Sequence, residues 1–310
     1  MDPLSEIVSI LHPHDCVAAG LDAGGDWSIR FGAHEGLKCN AVVEGTCWVK
    51  VDGMAPVRLR AGDCAILPHG RPFLLSSHEA RAGRDADTLY TPVPHGGTAI
   101  YGGGGEFYMT GARFRLAGPP ARTLLQSLPP LIVVGAGPAG ATIQWTLDGI
   151  AAELRTPRPG GVLTISHLSH VLLLQVLRDH LATPVAARTG WLAGLADRQL
   201  AAALTGLHDD PARAWTVEAL ASAAGLSRTV FAVRFREATG RTPMAYLTEW
   251  RMLLAADRLR RSRISVARIA AEVGYASESA FGVAFRRVMG VAPRRYAREG
   301  KEDNVETTGK

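Results

Sequence analysis

Three glycines raise a question of chemistry. Gly135, Gly137 and Gly140 stand in G-x-G-x-x-G spacing directly after an apolar run, Leu131 to Val134, with Ala136, Ala139 and Ala141 between and after them. Glycines spaced this way between a strand and a helix let the backbone turn tightly and bring a pyrophosphate onto the helix N-terminus. A dinucleotide fold then needs a second parallel strand, ending in Asp or Glu about twenty residues beyond the glycines. The chain instead continues with "ATIQWTLDGIAAEL", a helical pattern, then "RTPRPGG", then "VLTISHLSHVLLLQVLRDHL", helical again. Glu153 falls at a helix end rather than a strand end. The glycines are therefore expected to mark a strand end and a loop entering a helix, with no bound cofactor. His12, His14, Asp15 and Cys16 are close enough in sequence to suggest a metal cluster, but are read as an exposed terminal segment. His167 and His170, three apart on a helix, are read as facing a subunit contact. The cysteines Cys16, Cys39, Cys47 and Cys64 include no CxxC. Cys39, Cys47 and Cys64 sit in strand patterns, where a thiol behaves as a small buried apolar group. Sensing of oxidants by one of the four is the alternative. No catalytic set is read.

The arginines make a stronger case. Residues 211–300 hold sixteen Arg and no Lys against seven acids, a net of +9, within a chain whose net charge is +5. A basic block of that kind points to a polyanion. The same block contains one unit written twice. Val217, Leu220, Ala221, Gly225 and Leu226 recur 49 residues later as Val266, Ile269, Ala270, Gly274 and Tyr275. After a one-residue insertion, Phe231, Phe235, Gly240, Pro243 and Tyr246 recur as Phe281, Phe285, Gly290, Pro293 and Tyr296. Each unit reads as a helix, a turn at glycine and a second helix. Thr216, Ser227, Ser265 and Ser277 are the expected N-caps. The phenylalanines, at i,i+4, point into a small core. A second helix held this way is the part of a helix-turn-helix that enters a DNA major groove.

The stretch "GYASESAFGVAFRRVMGVAPRRY", Gly274 to Tyr296, resembles the signature of the AraC/XylS family of bacterial transcription regulators. The resemblance covers residues 211–300. It implies two helix-turn-helix units, at about 216–240 and 265–290, joined by a linker helix over 243–261 with Tyr246, Leu247, Trp250, Leu253 and Leu254 facing the two units. The side chains facing away from the phenylalanines are the expected base readers: Arg228, Thr229, Ala232, Val233 and Arg236 in the first unit, and Glu278, Ser279, Gly282 and Val283 in the second. Ala232 and Val233 suit thymine methyls, and Glu278 suits cytosine N4. Arg234, Arg286, Arg287, Arg294 and Arg295 are expected on phosphates, which position a protein without specifying sequence.

The first part of the chain reads differently. "DWSIRF", "NAVVEGTCWVKVDG" and "APVRLRAGDCAILPHGRPFLLSS" alternate apolar and polar residues between turns. The last two resemble the halves of the cupin signature as it occurs in sensor domains fused to AraC-like DNA-binding domains. The fold class expected is α+β. An antiparallel, cupin-like barrel over about 5–125 and connecting helices over about 138–205 make a sensor domain of residues 1–195, followed by the all-α domain of two helix-turn-helix units and a disordered tail over 301–310. Metal-binding cupins use histidines where this chain has Asn40 and Phe73, and the nearby His34 and His69 do not match the pattern, so no metal is expected; a cupin metalloenzyme fused to a DNA-binding domain is a second alternative. Related sensors often have a Cys-Gly pair where this chain has Thr110-Gly111, which argues against a disulfide switch. The apolar "VLLLQVL" of the connecting helices suggests a homodimer. The partners implied are double-stranded DNA, RNA polymerase and a small-molecule effector, in the cytoplasm. No membrane is implied, because no run of eighteen apolar residues and no signal peptide is seen.

Overall fold

The computed structural model of the chain describes residues 3–9, 11, 13–79, 82–94, 96–116, 125, 128–182, 194, 197–262 and 264–298. The chain divides into two compact units, one of residues 11–184 and one that joins residues 1–10 to 185–310. The expected tail over 301–310 lies outside the described residues.

The first unit is built on two sheets. One has six strands in the order β11-β6-β3-β10-β1-β9, and the other has five in the order β5-β4-β7-β2-β8. Central to the first are β1 (Pro13–Ala23), β3 (Leu37–Glu44), β6 (Cys64–Leu67) and β10 (Phe107–Leu116), edged by β9 (Thr98–Tyr101) and β11 (Ile132–Val134). The second comprises β2 (Ser28–Phe31), β4 (Thr46–Val51), β5 (Val57–Arg60), β7 (Phe73–Ser76) and β8 (Arg84–Asp85). Alternation sends one side chain in two inward. Leu21, Val42, Ala65 and Met109 from the first sheet share a core with Ile29, Val49, Phe73 and Leu75 from the second. This corrects two expectations. The strands form a pair of sheets rather than one closed antiparallel barrel, and β1–β9 and β2–β8 pair in parallel. His14, Asp15 and Cys16 lie in β1 at a break in its register with β10, not in a terminal segment outside the fold.

Helix α2 (Ala86–Tyr90) follows β8 and is capped by the Asp85 carboxylate, which accepts from Asp87 N–H. The other face of the six-stranded sheet carries α3 (Pro138–Arg155), whose Ile143, Leu147 and Ile150 are buried. Against α3 packs α4 (Gly161–Ala182) through Leu172, Leu173, Val176 and Leu177. By length and composition α4 is apolar enough to cross a membrane, and this buried stripe is the use the fold makes of it.

The second unit is helical. It contains α1 (Pro3–Ser9), α5 (Arg198–Asp209), α6 (Val217–Ala223), α7 (Arg228–Thr239), α8 (Pro243–Arg261), α9 (Val266–Glu272) and α10 (Glu278–Met289). Each start after α1 has a chemical cause. The side chains of Asp197, Thr216, Ser227, Thr242, Ser265 and Ser277 accept from the first free backbone N–H groups of their helices. Gly225 and Gly274 take φ of +65° and +82° in the turns after α6 and α9, and Gly240 and Gly290 end α7 and α10 in the left-handed region. Pro243 sits at the first position of α8, where its missing N–H costs nothing.

Candidate functional site

Helices α7 and α10 each have one locked face and one open face. Phe231 and Phe235 are fully buried with their rings 5.5 Å apart, and Phe281 and Phe285 repeat the arrangement at 5.5 Å. Tyr246 closes edge-on against Phe235, as Tyr296 does against Phe285. Burying four rings fixes the rotation of both helices, so the opposite faces are held outward. On α7 those faces carry Arg228, Thr229, Val233, Arg234 and Arg236, all exposed, with Ala232 half-buried. On α10 they carry Glu278, Ser279, Val283, Arg286 and Arg287, exposed, with Gly282 half-buried. Arg294 and Arg295 are exposed beyond α10. Val233 and Val283 are 53% and 70% exposed, at equivalent places on the two open faces. Val230, 51% exposed beside Thr229, belongs to the same surface. It sits one residue before Phe231 and so looks like core in the apolar pattern.

Several expected contacts are already engaged. Arg228 pairs with Glu218 at 2.9 Å. Arg234 donates to the Asp197 carboxylate at 2.6 Å and to Gln199 at 2.6 Å. Glu278 and Arg294, expected to meet a base and a phosphate respectively, pair with one another at 3.0 Å. The Arg228–Glu218 and Arg294–Glu278 pairs are exposed, so they are worth little in water and exchange readily for another partner.

Between α1, α5 and α8 lies a buried polar chain. The Nδ1 of His208 is 3.1 Å from the Glu6 carboxylate, and its Nε2 is 2.8 Å from the Tyr246 hydroxyl. Its ring packs 4.2 Å from that of Trp250. Burial holds the imidazole down at about 4, so it is neutral near pH 7. Neutral His208 satisfies both neighbours, with Nδ1–H donating to Glu6 and Nε2 accepting from Tyr246.

In the β unit, Asn40 and Phe73 are both buried. They supply one neutral amide and no further donor. Lys38, on the same face of β3 as Asn40, lays its ammonium 5.0 Å from the centre of the Phe73 ring. This donor set does not fit a divalent ion. Among the described residues no group of three or more His, Cys, Asp or Glu is placed to hold one. His34 has its Nε2 3.4 Å from the Leu67 carbonyl, and burial, with Lys38 beside it, lowers its pKa to about 4. Cys39, Cys47 and Cys64 are buried, and burial raises Cys47 and Cys64 to about 12 and Cys39 well above its ordinary value. Cys16 is half-buried and raised to about 11 by the same cause. Thiols so protonated are poor nucleophiles.

The glycines of the opening question lie between β11 and α3. Strand β11 runs antiparallel to β6, whereas the strand that leads into a dinucleotide loop has parallel neighbours. Ala136 N–H donates to the Asp63 carboxylate at 3.1 Å. Gly140 sits where an added Cβ would come within 2.8 Å of the backbone oxygens of Gly62 and Gly135. The glycine spacing thus serves a close helix-to-sheet approach. Of the two histidines on α4, His170 places Nδ1 2.8 Å from the Ser166 carbonyl.

A helical unit with two outward helices on rigid phenylalanine cores, attached to a two-sheet unit, defines a DNA-binding transcription regulator with a cupin domain. Residues 2–182 match the family model described as cupin, and residues 220–299 match that of a helix-turn-helix domain. The chain belongs to the AraC family of transcription regulators. It is 43% identical to an AraC-like transcription regulator of Streptomyces antibioticus over 96% of this chain and 98% of that protein. It is 30% identical to the RCS-specific HTH-type transcriptional activator RclR of Escherichia coli K12 over 96% and 97% of the two chains. A solved structure, the DNA-binding domain of AdpA in complex with a target DNA, is 31% identical and covers 35% of this chain and 97% of that one, with a TM-score of 0.33.

Proposed function

We propose that α6–α7 and α9–α10 are two helix-turn-helix readers joined by α8, and that α7 and α10 enter successive major grooves on one face of the duplex. The observation that carries this reading is the pair of outward faces, Thr229 with Val233 and Ser279 with Val283, on helices whose rotation the phenylalanines fix. Because the two faces differ in sequence, one protomer's site is an asymmetric pair of half-sites about one helical turn, ~34 Å, apart. Arg236 and Ala232 join the first reader. Arg286, Arg287 and Arg295 meet phosphates. Arg228, Arg234 and Arg294 reach DNA by exchanging the carboxylates they hold in the free protein.

The β unit is the sensor of a small-molecule effector. Binding of effector changes transcription through RNA polymerase in the cytoplasm, and activation is favoured because a full-length relative is named as an activator. The working form is a homodimer. Support comes from the helical layer of the β unit, where Trp145, Val162 and Leu163 are 64%, 87% and 62% exposed. The test is selection of bound sequences from random DNA with the full chain, followed by variants. Changing Thr229 or Val233 to Ala relaxes one half-site and changing Ser279 or Val283 relaxes the other, at roughly 1–3 kcal/mol for each good base interaction removed. Variants of both helices altering the same bases would refute the two-reader arrangement.

A further inference from the structure

We propose that Lys38 and Arg113 hold the head group of a small organic carboxylate inside the β unit, an inference that rests on the effector-sensor reading above. The two cations stand directly opposite one another in the β3–β10 ladder. Like charges at paired positions repel, and among the described residues neither has an ion pair to offset this. Asp87 is the acid whose field favours the charged form of Lys38, but it lies beyond ion-pair distance. Register places both side chains on the inner face. Lys38 alternates with Asn40 and the core residue Val42 on β3, and Arg113 with Gly111 and the core residue Met109 on β10.

There the Lys38 ammonium sits 3.9 Å from the centre of the Phe31 ring and 5.0 Å from that of Phe73. Those rings are stacked at 4.6 Å, with Tyr90 at 6.1 Å. Ring faces hold a cation in place without satisfying its hydrogen-bond donors. An independent observation marks the same place. Asn40 is 2% exposed, and its side-chain Nδ2 has no hydrogen-bond partner. A buried amide left unpaired costs free energy that a ligand oxygen would recover. Gly111 lets the Asn40 amide lie close over β10, since a Cβ there would come 2.6 Å from the Asn40 Oδ1. Lys38 and Arg113 are both half-buried, so the place is reachable from solvent.

The chemistry of the ligand follows from these donors. An Arg fork, an ammonium and one amide N–H suit the two oxygens of a carboxylate. A phosphate, with four oxygens to satisfy, asks for more donors than an aromatic wall provides. The ring faces suit an apolar or aromatic body. Burial and the Arg113 charge lower Lys38 to about 7, a penalty on its charge that a bound anion relieves.

The chain has four lysines, Lys38, Lys50, Lys301 and Lys310, so 15N-lysine labelling of the full chain yields few side-chain signals to assign. At about pH 6, below the shifted pKa, sodium benzoate and sodium octanoate are titrated alongside benzamide and inorganic phosphate. Expected is a saturable shift of the Lys38 signal alone with at least one carboxylate and none with benzamide or phosphate. Arg113→Gln should weaken that response at least ~10-fold, the loss of one charge-assisted hydrogen bond. Lys38→Met should remove the signal and leave that of Lys50, on β4, in place, reporting an intact β unit. A Lys38 signal unmoved by both carboxylates, or moved as far by benzamide or phosphate, overturns the proposal. Binding of the unmodified chain to selected and random DNA is measured in parallel. Discrimination with no carboxylate response fails this inference alone, whereas no discrimination fails the regulator reading itself.

Discussion

The buried His208 makes the helical unit acid-sensitive by a calculable amount. Its folded pKa is about 4 against an ordinary 6.5. Between those values the unfolded chain binds the proton and the folded chain does not, so stability is full above pH 6.5 and is lost as pH falls toward 4. At pH 5 the unfolded imidazole is almost wholly protonated and the folded one almost wholly neutral, which removes roughly 2 kcal/mol relative to pH 7.5. The physical cause is local. A proton on Nε2 would face the hydroxyl of Tyr246, which already donates to that nitrogen, in a site where the His208 side chain has no exposure. The assay is urea unfolding at pH 7.5 and pH 5, followed by 19F NMR of 5-fluorotryptophan at Trp215 and Trp250, which report on this unit alone. His208→Leu cannot titrate, so the wild type should lose about 2 kcal/mol more than the variant between the two pH values. Equal losses in the two proteins would show that the imidazole is protonated in the fold, held by Glu6, and that the reasoning is wrong.

Three further outcomes are expected. Phe281→Ala, at a fully buried ring, should cost about 3–5 kcal/mol of stability in thermal unfolding, and Phe231→Ala, at the equivalent ring of α7, a similar amount. Glu278→Gln removes the partner of Arg294 and should raise affinity for random DNA a fewfold, whereas Arg287→Ala should lower it and reduce the salt slope by about 1, both read by binding titrations in increasing salt. Cys39 and Cys47 should resist alkylation by iodoacetamide at neutral pH until the chain unfolds, read by mass spectrometry of the labelled peptides. Rapid labelling in the native protein would restore the oxidant-sensing alternative.

What could be read from the sequence was local. Thr216, Ser227, Ser265 and Ser277 cap helices because a short side chain with an oxygen precedes an apolar period, and both features lie within a few residues. Duplication made the Phe231–Phe235 and Phe281–Phe285 cores recognisable from spacing alone. What depended on distant partners was hidden. Alternation shows which residues share a face but not which strand lies alongside, so the parallel β1–β9 pair and the facing of Lys38 and Arg113 could not be foreseen. Arg234 reads as a free cation because its partner Asp197 is 37 residues away. The three glycines are ambiguous on their own, since the same spacing serves a nucleotide or a tight helix-to-sheet approach. The helical pattern after Gly140, where a dinucleotide fold needs a second strand, pointed to the second use, and the antiparallel β11 agrees with it.

Helix α1 has a consequence for how the protein is made and handled. Glu6 meets His208 across 202 positions of chain, so α1 lacks this partner until the chain has been synthesised as far as His208. The sheets of residues 11–184 can close in the meantime, and the helical unit is assembled from two segments that lie on either side of them in the sequence. An affinity tag placed directly ahead of α1 is therefore fused to the helical unit, and a fragment beginning after residue 10 leaves His208 without the Glu6 carboxylate. Comparing DNA affinity between N-terminally and C-terminally tagged protein is a simple control before any truncation is trusted.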